Sequence, residues 1–180
     1  MPEVSYVFQG DDGLRWTVLH CVIQEGLSEL YEGTLVLAGE GDPTPDALLG
    51  GIASLLIHRG TRTRALLGVV RFVEDLGSTA THRHVRVGMV PQLWLLSQRV
   101  DLRIFQELTA VEIVTDVLRR AGVYQHEGGY EKGAFGRLPK REYCVQYRES
   151  DLDFVLRLLQ EEGIPFYFRH HLPRETLVLV

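Results

Sequence analysis

The rhythm of apolar and polar positions changes partway along this chain. Up to residue 90, short apolar runs alternate with glycine-bearing breaks. The runs at 4–9, 15–23, 31–38, 52–58, 65–74 and 82–90 are rich in Val, Leu, Ile and aromatics; the breaks at 10–13, 39–43 and 59–61 each carry glycine. Short strands at this spacing predict an antiparallel barrel or a sandwich. Asp11-Asp12-Gly13 reads as a hairpin turn, because glycine takes the positive φ such turns need. Alternation is clearest at 82–89. There Val85, Val87 and Met89 share one face, and His82, His84 and Arg86 the other.

Helical spacing takes over after Leu108. Thr109 with Glu112 three residues later forms a capping box. Ala110, Ile113, Val114, Val117, Leu118 and Ala121 make the apolar stripe of a core-packed helix. Arg119 and Arg120 suit the negative end of its dipole, and Gly122 supplies the stop. Residues 125–139 hold Gly128, Gly129, Gly133 and Gly136 and read as a long turn; the segment lacks the GK[ST] ending of a phosphate loop.

The most patterned stretch is 141–170. Tyr143, Val145 and Tyr147 point one way along a strand, and Cys144, Gln146 and Arg148 the other. Ser150 caps a second helix, with Asp151 and Asp153 at the positive end of its dipole. Leu152, Val155, Leu156 and Leu159 form the expected buried stripe. Asp153, Arg157 and Glu161 stand four residues apart, so an ion-pair ladder worth about 0.2–0.5 kcal/mol per pair is available. Glu161 and Glu162 sit at the unfavourable end of the dipole. Gly163 and Pro165 end the helix, Phe166 and Phe168 alternate with Tyr167 and Arg169 in a strand, and 176–180 opens another. The pattern divides the chain into 1–98, a first β domain, 99–124, a linker with a helix, and 125–180, the start of a second domain. The chain reads as a truncated piece of a longer protein.

Composition adds constraints. The chain has 180 residues, 45% hydrophobic and 24% charged, enough to bury about 70% of its unfolded surface without disulfides or metal. A net charge of −5, with Lys132 and Lys140 the only lysines and the arginines scattered, argues against nucleic acid as a partner. Cys21 and Cys144 lie in apolar runs and read as buried thiols of a reducing compartment; a disulfide between them stays open. The N-terminus shows no basic, then apolar, leader, and no run is long enough to span a membrane.

Candidate chemistry is sparse. His82 and His84 share a face that could hold a metal, but no third ligand is evident nearby. His170 and His171 would point to opposite faces of a strand. Glu161 and Glu162 diverge by roughly 100° around a helix. This separation disfavours a paired-carboxylate acid–base site, although both could meet a basic patch on a partner. No serine has the setting of a nucleophile elbow; Ser54 and Ser97 are flanked by apolar residues. Trp16 and Trp94 read as core anchors. No catalytic residue, cofactor site or metal site is assigned, and the chain does not read as an enzyme. A metal-binding or catalytic domain using the His82/His84 face stands as the alternative.

The run Tyr143-Cys-Val-Gln-Tyr147-Arg-Glu149-Ser-Asp151-Leu-Asp-Phe154, with Arg157-Leu-Leu159, Glu161-Glu162-Gly163-Ile164 and Phe166-Tyr-Phe168, closely resembles the signature of VgrG proteins, the spikes of the type VI secretion system. Gly26-Leu27-Ser28-Glu29-Leu30-Tyr31, Leu49-Gly50, Leu67-Gly68-Val69-Val70, Val90-Pro91-Gln92-Leu93-Trp94-Leu95-Leu96 and Arg103-Ile104-Phe105-Gln106 extend the resemblance over nearly the whole chain. Pro165 and the extra Gly51 are small departures. The resemblance implies an α+β, mainly β fold, with tube-like antiparallel β-barrel hub domains and a few short helices, as in contractile phage tails. On it, 1–98 is the first hub barrel and 125–180 opens the second. The implied function is structural. A homotrimeric spike would dock on the hexameric Hcp tube, contact the baseplate, and carry a PAAR-type tip or effectors on a needle further along. It would assemble in the bacterial cytoplasm and leave by type VI secretion without a signal peptide. The hub of a phage tail or of an extracellular contractile particle is the close alternative.

Overall fold

The computed structural model describes residues 4–11, 13–41 and 43–180, so Asp12 of the expected hairpin turn and Asp42 lie outside the described residues. Contacts divide the chain into two units. One comprises Met1–Gly26, Leu30–Pro91 and His170–Glu175, the other Leu27–Glu29, Gln92–Arg169 and Thr176–Val180.

The first unit contains a closed antiparallel barrel. Its strands are β1 (Val4–Gly10), β2 (Arg15–Gln24), β3 (Glu32–Glu40), β4 (Ile52–Arg59), β5 (Arg62–Ser78) and β6 (His82–Val90), ordered β1-β2-β3-β6-β5-β4. Pairing of β1 with β4, from Val4 opposite Arg59 to Gly10 opposite Ala53, closes the ring. The barrel, not the sandwich, is thus the outcome of the strand pattern. Alternation sets which side chains fill it: Leu35 lies opposite Val87, Leu37 opposite Val85 and Phe8 opposite Leu55, and all six are fully buried. Two glycines lie under cross-strand aromatics. The Trp16 ring covers Gly39 and the Phe72 ring covers Gly88, each the other's register partner, leaving no room for a Cβ at either glycine. Such rings replace the packing a glycine removes from a strand.

The second unit is built on two helices that pack together, α1 (Ala110–Ala121) and α2 (Asp151–Glu161). The Thr109/Glu112 capping box is present: Thr109 Oγ1 accepts from the Glu112 N–H at 3.3 Å, and the Glu112 carboxylate accepts from the Thr109 N–H at 2.7 Å. Both helices end in the same six-residue motif. Val123 N–H reaches Leu118 O in α1 and Ile164 N–H reaches Leu159 O in α2, with Gly122 and Gly163 in the left-handed region at φ 71° and 65°. Ile113, Val114, Val117 and Leu118 of α1 are buried, as are Phe154, Val155, Leu158 and Leu159 of α2. Leu156 departs from the expected stripe and is only half-buried, because the buried face of α2 turns toward Phe154 and Leu158; Phe154 stacks on Phe105 with centroids 5.7 Å apart.

The remaining strands are β7 (Val100–Phe105), β8 (Tyr130–Lys132), β9 (Cys144–Ser150), β10 (Phe166–His171) and β11 (Arg174–Leu179). The strands β7 and β9 form a two-stranded antiparallel ribbon. The glycine-rich segment expected to be a turn contains β8, which pairs parallel to β11 with Tyr130 opposite Leu177. A three-residue strand is too short to show a period, and its partner lies far along the chain. Cys144 is buried and Cys21 is half-buried; both are free thiols. Trp16 is a core residue, but Trp94 is only half-buried.

Candidate assembly surface

The 141–170 segment folds as its pattern predicts and holds contacts the pattern hides. Ser150 Oγ accepts from the Asp153 N–H at 3.0 Å, capping α2. Glu161 and Glu162, at the negative end of α2, are gripped together by Arg141, whose two terminal nitrogens each donate to one carboxylate at 2.6 Å. Hydrogen bonding from Arg141, against the opposing effect of burial and with help from Arg157, holds the Glu161 carboxyl below its usual range. The unfavourable dipole position of the pair is thus offset by a cation brought from outside the helix. The expected ladder forms in part: Arg157 reaches Glu161 at 3.0 Å, but its second partner is Glu149, at 2.6 Å, because Asp153 is engaged by Ser150.

The two faces of the β7–β9 ribbon are inverted relative to a simple hydrophobic rule. The inner face buries Phe105 and Cys144 beside a polar cluster. Arg103 Nε donates to Gln146 Oε1 at 2.8 Å, Gln146 Nε2 donates to Asp151 Oδ1 at 2.8 Å, and Arg103 pairs with the same carboxylate. Gln146 and Asp151 are fully buried. The outer face carries Val100, Leu102, Ile104, Tyr143, Val145 and Tyr147, each between 42% and 66% exposed. Leu102 lies opposite Tyr147 and Ile104 opposite Val145, so the apolar side chains are contiguous. Alternation of Val100, Leu102 and Ile104 with Asp101 and Arg103 is visible in the sequence, but it cannot say which face is covered.

The histidines are placed as follows. His82 Nδ1 lies 2.7 Å from Thr81 Oγ1, and His84 pairs through its backbone with Ala38. No three His, Cys, Asp or Glu side chains converge as a metal site among the described residues. His170 and His171 diverge as expected. His171 is exposed, while His170 is half-buried, with its ring edge-on to Tyr31 at 5.2 Å and its Nδ1 accepting the Leu67 N–H at 3.1 Å. Burial drives the His170 pKa down to about 4, so the ring is neutral at pH 7. Tyr31 also bonds the fully buried Glu175 at 2.7 Å.

Residues 24–180 match the phage tail baseplate hub (GPD) family. The chain belongs to that family. Among the relatives of this hub chain, the type VI secretion system spike protein VgrG4b of Pseudomonas aeruginosa is 48% identical over 177 residues, covering 93% of this chain and 20% of that protein. The spike protein VgrG1b of the same organism is 37% identical over 175 residues, covering 94% of this chain and 23% of that protein. The hub chain therefore spans about a fifth to a quarter of these relatives. In structure it is similar to the E. coli c3393 protein, described as a type VI secretion component with structural similarity to the T4 bacteriophage tail proteins gp27 and gp5. The TM-score is 0.86 at 25% identity, covering 96% of the hub chain and 48% of c3393. No helix of the hub chain is long and apolar enough to cross a membrane among the described residues.

Proposed function

We propose that this chain is the hub portion of a trimeric spike of a type VI secretion system, which docks on the hexameric Hcp tube and helps deliver effectors into target cells. The observation that carries the reading is the family match over 24–180 together with 48% identity to a type VI spike protein. The closed barrel supports it physically. A barrel leaves no unpaired strand edge within its sheet, so it can sit in a ring of like barrels without open-ended strand addition.

In this reading residues 1–98 are the first hub barrel, 99–124 lead out of it, and 125–180 begin a second hub domain. Three copies would present six barrels to a sixfold tube. A needle further along the parent polypeptide would carry a PAAR-type tip or effectors, and the baseplate would hold the hub. The assembled spike would form in the bacterial cytoplasm and be expelled by the machine itself. Glu161 and Glu162, already clamped by Arg141, would offer a partner a largely neutralised edge.

Negative-stain imaging of the intact parent polypeptide tests this. Threefold spikes that bind Hcp rings are expected; a monodisperse monomer with no affinity for Hcp would overturn it. The hub of a phage tail or of an extracellular contractile particle is the second reading, favoured by the likeness to c3393 and its described relation to phage tail proteins. Spikes that bind a tail-tube ring but not Hcp would select it.

A further inference from the structure

We propose that Glu175 is a neutral carboxylic acid at pH 7, and that its proton latches the 170–175 segment onto the barrel. The inference goes beyond the hub reading and does not depend on it, because every group involved lies within the barrel unit. It begins with Leu67. The strand β6 pairs with β5 only as far as Val90 opposite Val69, and the residue after Val90 is Pro91, which has no N–H to offer. Leu67, two residues beyond that pair, is buried, so its N–H and C=O need partners from outside the ladder. His170 Nδ1 accepts the N–H at 3.1 Å, and the Tyr31 hydroxyl donates to the C=O. Gly68 makes the second contact possible, since a Cβ there would collide with the Tyr31 hydroxyl and with Val90 O.

A phenol carries one proton, and a carbonyl can only accept, so the Tyr31 proton is committed to Leu67 O. Glu175 Oε2 stands 2.7 Å from the same hydroxyl oxygen. With the phenol proton already given, that contact is a hydrogen bond only if Glu175 supplies the proton. The bonds then run from Glu175 to Tyr31 and from Tyr31 to Leu67 O. Glu175 is fully buried, and burial disfavours the ionised form of a carboxyl group. Of the titratable groups beside this chain of bonds, His170 lies edge-on to Tyr31 and is neutral at pH 7; Glu25, Arg64 and His171 act on it, and Arg64 pairs with Glu25. On β11 itself Arg174 is exposed, on the face opposite Glu175. Opening the segment turns Glu175 into an ordinary glutamate, ionised above about pH 4.3. The closed segment therefore loses stability as the pH rises from there, until its own proton leaves. His170 gives the opposite slope up to about pH 6.5, reinforced by Glu112, Asp116 and Glu161, whose carboxyls are held below their usual range. Only a comparison that leaves those groups unchanged isolates Glu175.

Hydrogen exchange of the 170–175 segment, followed by mass spectrometry in the intact parent polypeptide, makes that comparison. Glu175→Gln replaces the acid by an amide that still donates to Tyr31 but cannot ionise. From pH 5 to 7 the opening of the segment is expected to grow in the wild type relative to the variant, by about tenfold per pH unit. A constant ratio over that range, or one that moves in favour of the wild type, would mean that Glu175 is a carboxylate and would overturn the proposal. Infrared spectra of polypeptide labelled with carbon-13 glutamate read the same proton directly, and in the wild type they need no variant. A carboxylic-acid band at pH 7 that Glu175→Gln removes is expected. Absence of any such band from the wild type, or a band undiminished by the substitution, would equally overturn the proposal.

Discussion

His170 shows how one side chain couples this fold to pH. Its ring accepts the Leu67 N–H and sits against Tyr31, and burial lowers its pKa to about 4 from an ordinary 6.5. The unfolded chain therefore binds a proton at this ring between those values, and the folded chain does not. The contribution to stability is whole above about pH 6.5 and is lost as the pH falls toward 4. The expected outcome is a melting temperature that drops over this window, and His170→Gln should flatten the drop; an unchanged slope would show that His170 is not the group. None of this was legible in the sequence, where His170 was only one of two adjacent histidines on opposite strand faces. The same holds for Arg141. The pattern exposed the misfit of Glu161 and Glu162 at the end of their helix, but the cation that resolves it comes from twenty residues upstream and follows no period.

At the scale of elements the sequence was far more legible, because the determinants are local. Six barrel strands, two helices and both glycine stops follow from alternation, capping and left-handed glycines over spans of a few residues. The misses share a physical cause. The strand β8 exists because of a partner 47 residues on, and the buried stripe of α2 is rotated because Phe154 finds Phe105. The rotation makes a measurable difference. Leu158→Ala and Leu159→Ala should each cost about 2–5 kcal/mol, whereas Leu156→Ala, which removes a half-buried side chain, should cost clearly less. Chemical denaturation midpoints rank the three, and equal losses would put Leu156 back in the core. The inner and outer faces of the β7–β9 ribbon were equally invisible: an alternating strand states two faces and does not say which is covered.

For the whole molecule, the chain order of the two units matters most. The barrel unit takes in His170–Glu175, and the helical unit takes in Leu27–Glu29. The chain thus passes between the units several times, and no single cut separates them. Removing residues 170–180 should therefore lower hydrogen-exchange protection in the barrel around Tyr31 and Leu67, even though all six barrel strands remain. Unchanged protection there would show that the 170–175 segment is a passenger. The barrel's interwoven ending also has a consequence in time. Glu175, the buried partner of Tyr31, is 144 residues further along the chain. At the roughly 5–20 residues per second of protein synthesis, Tyr31 waits about 7 to 29 seconds for it. During that interval the nascent barrel can pair its strands but lacks Glu175, so its final form waits on a segment made well after its six strands.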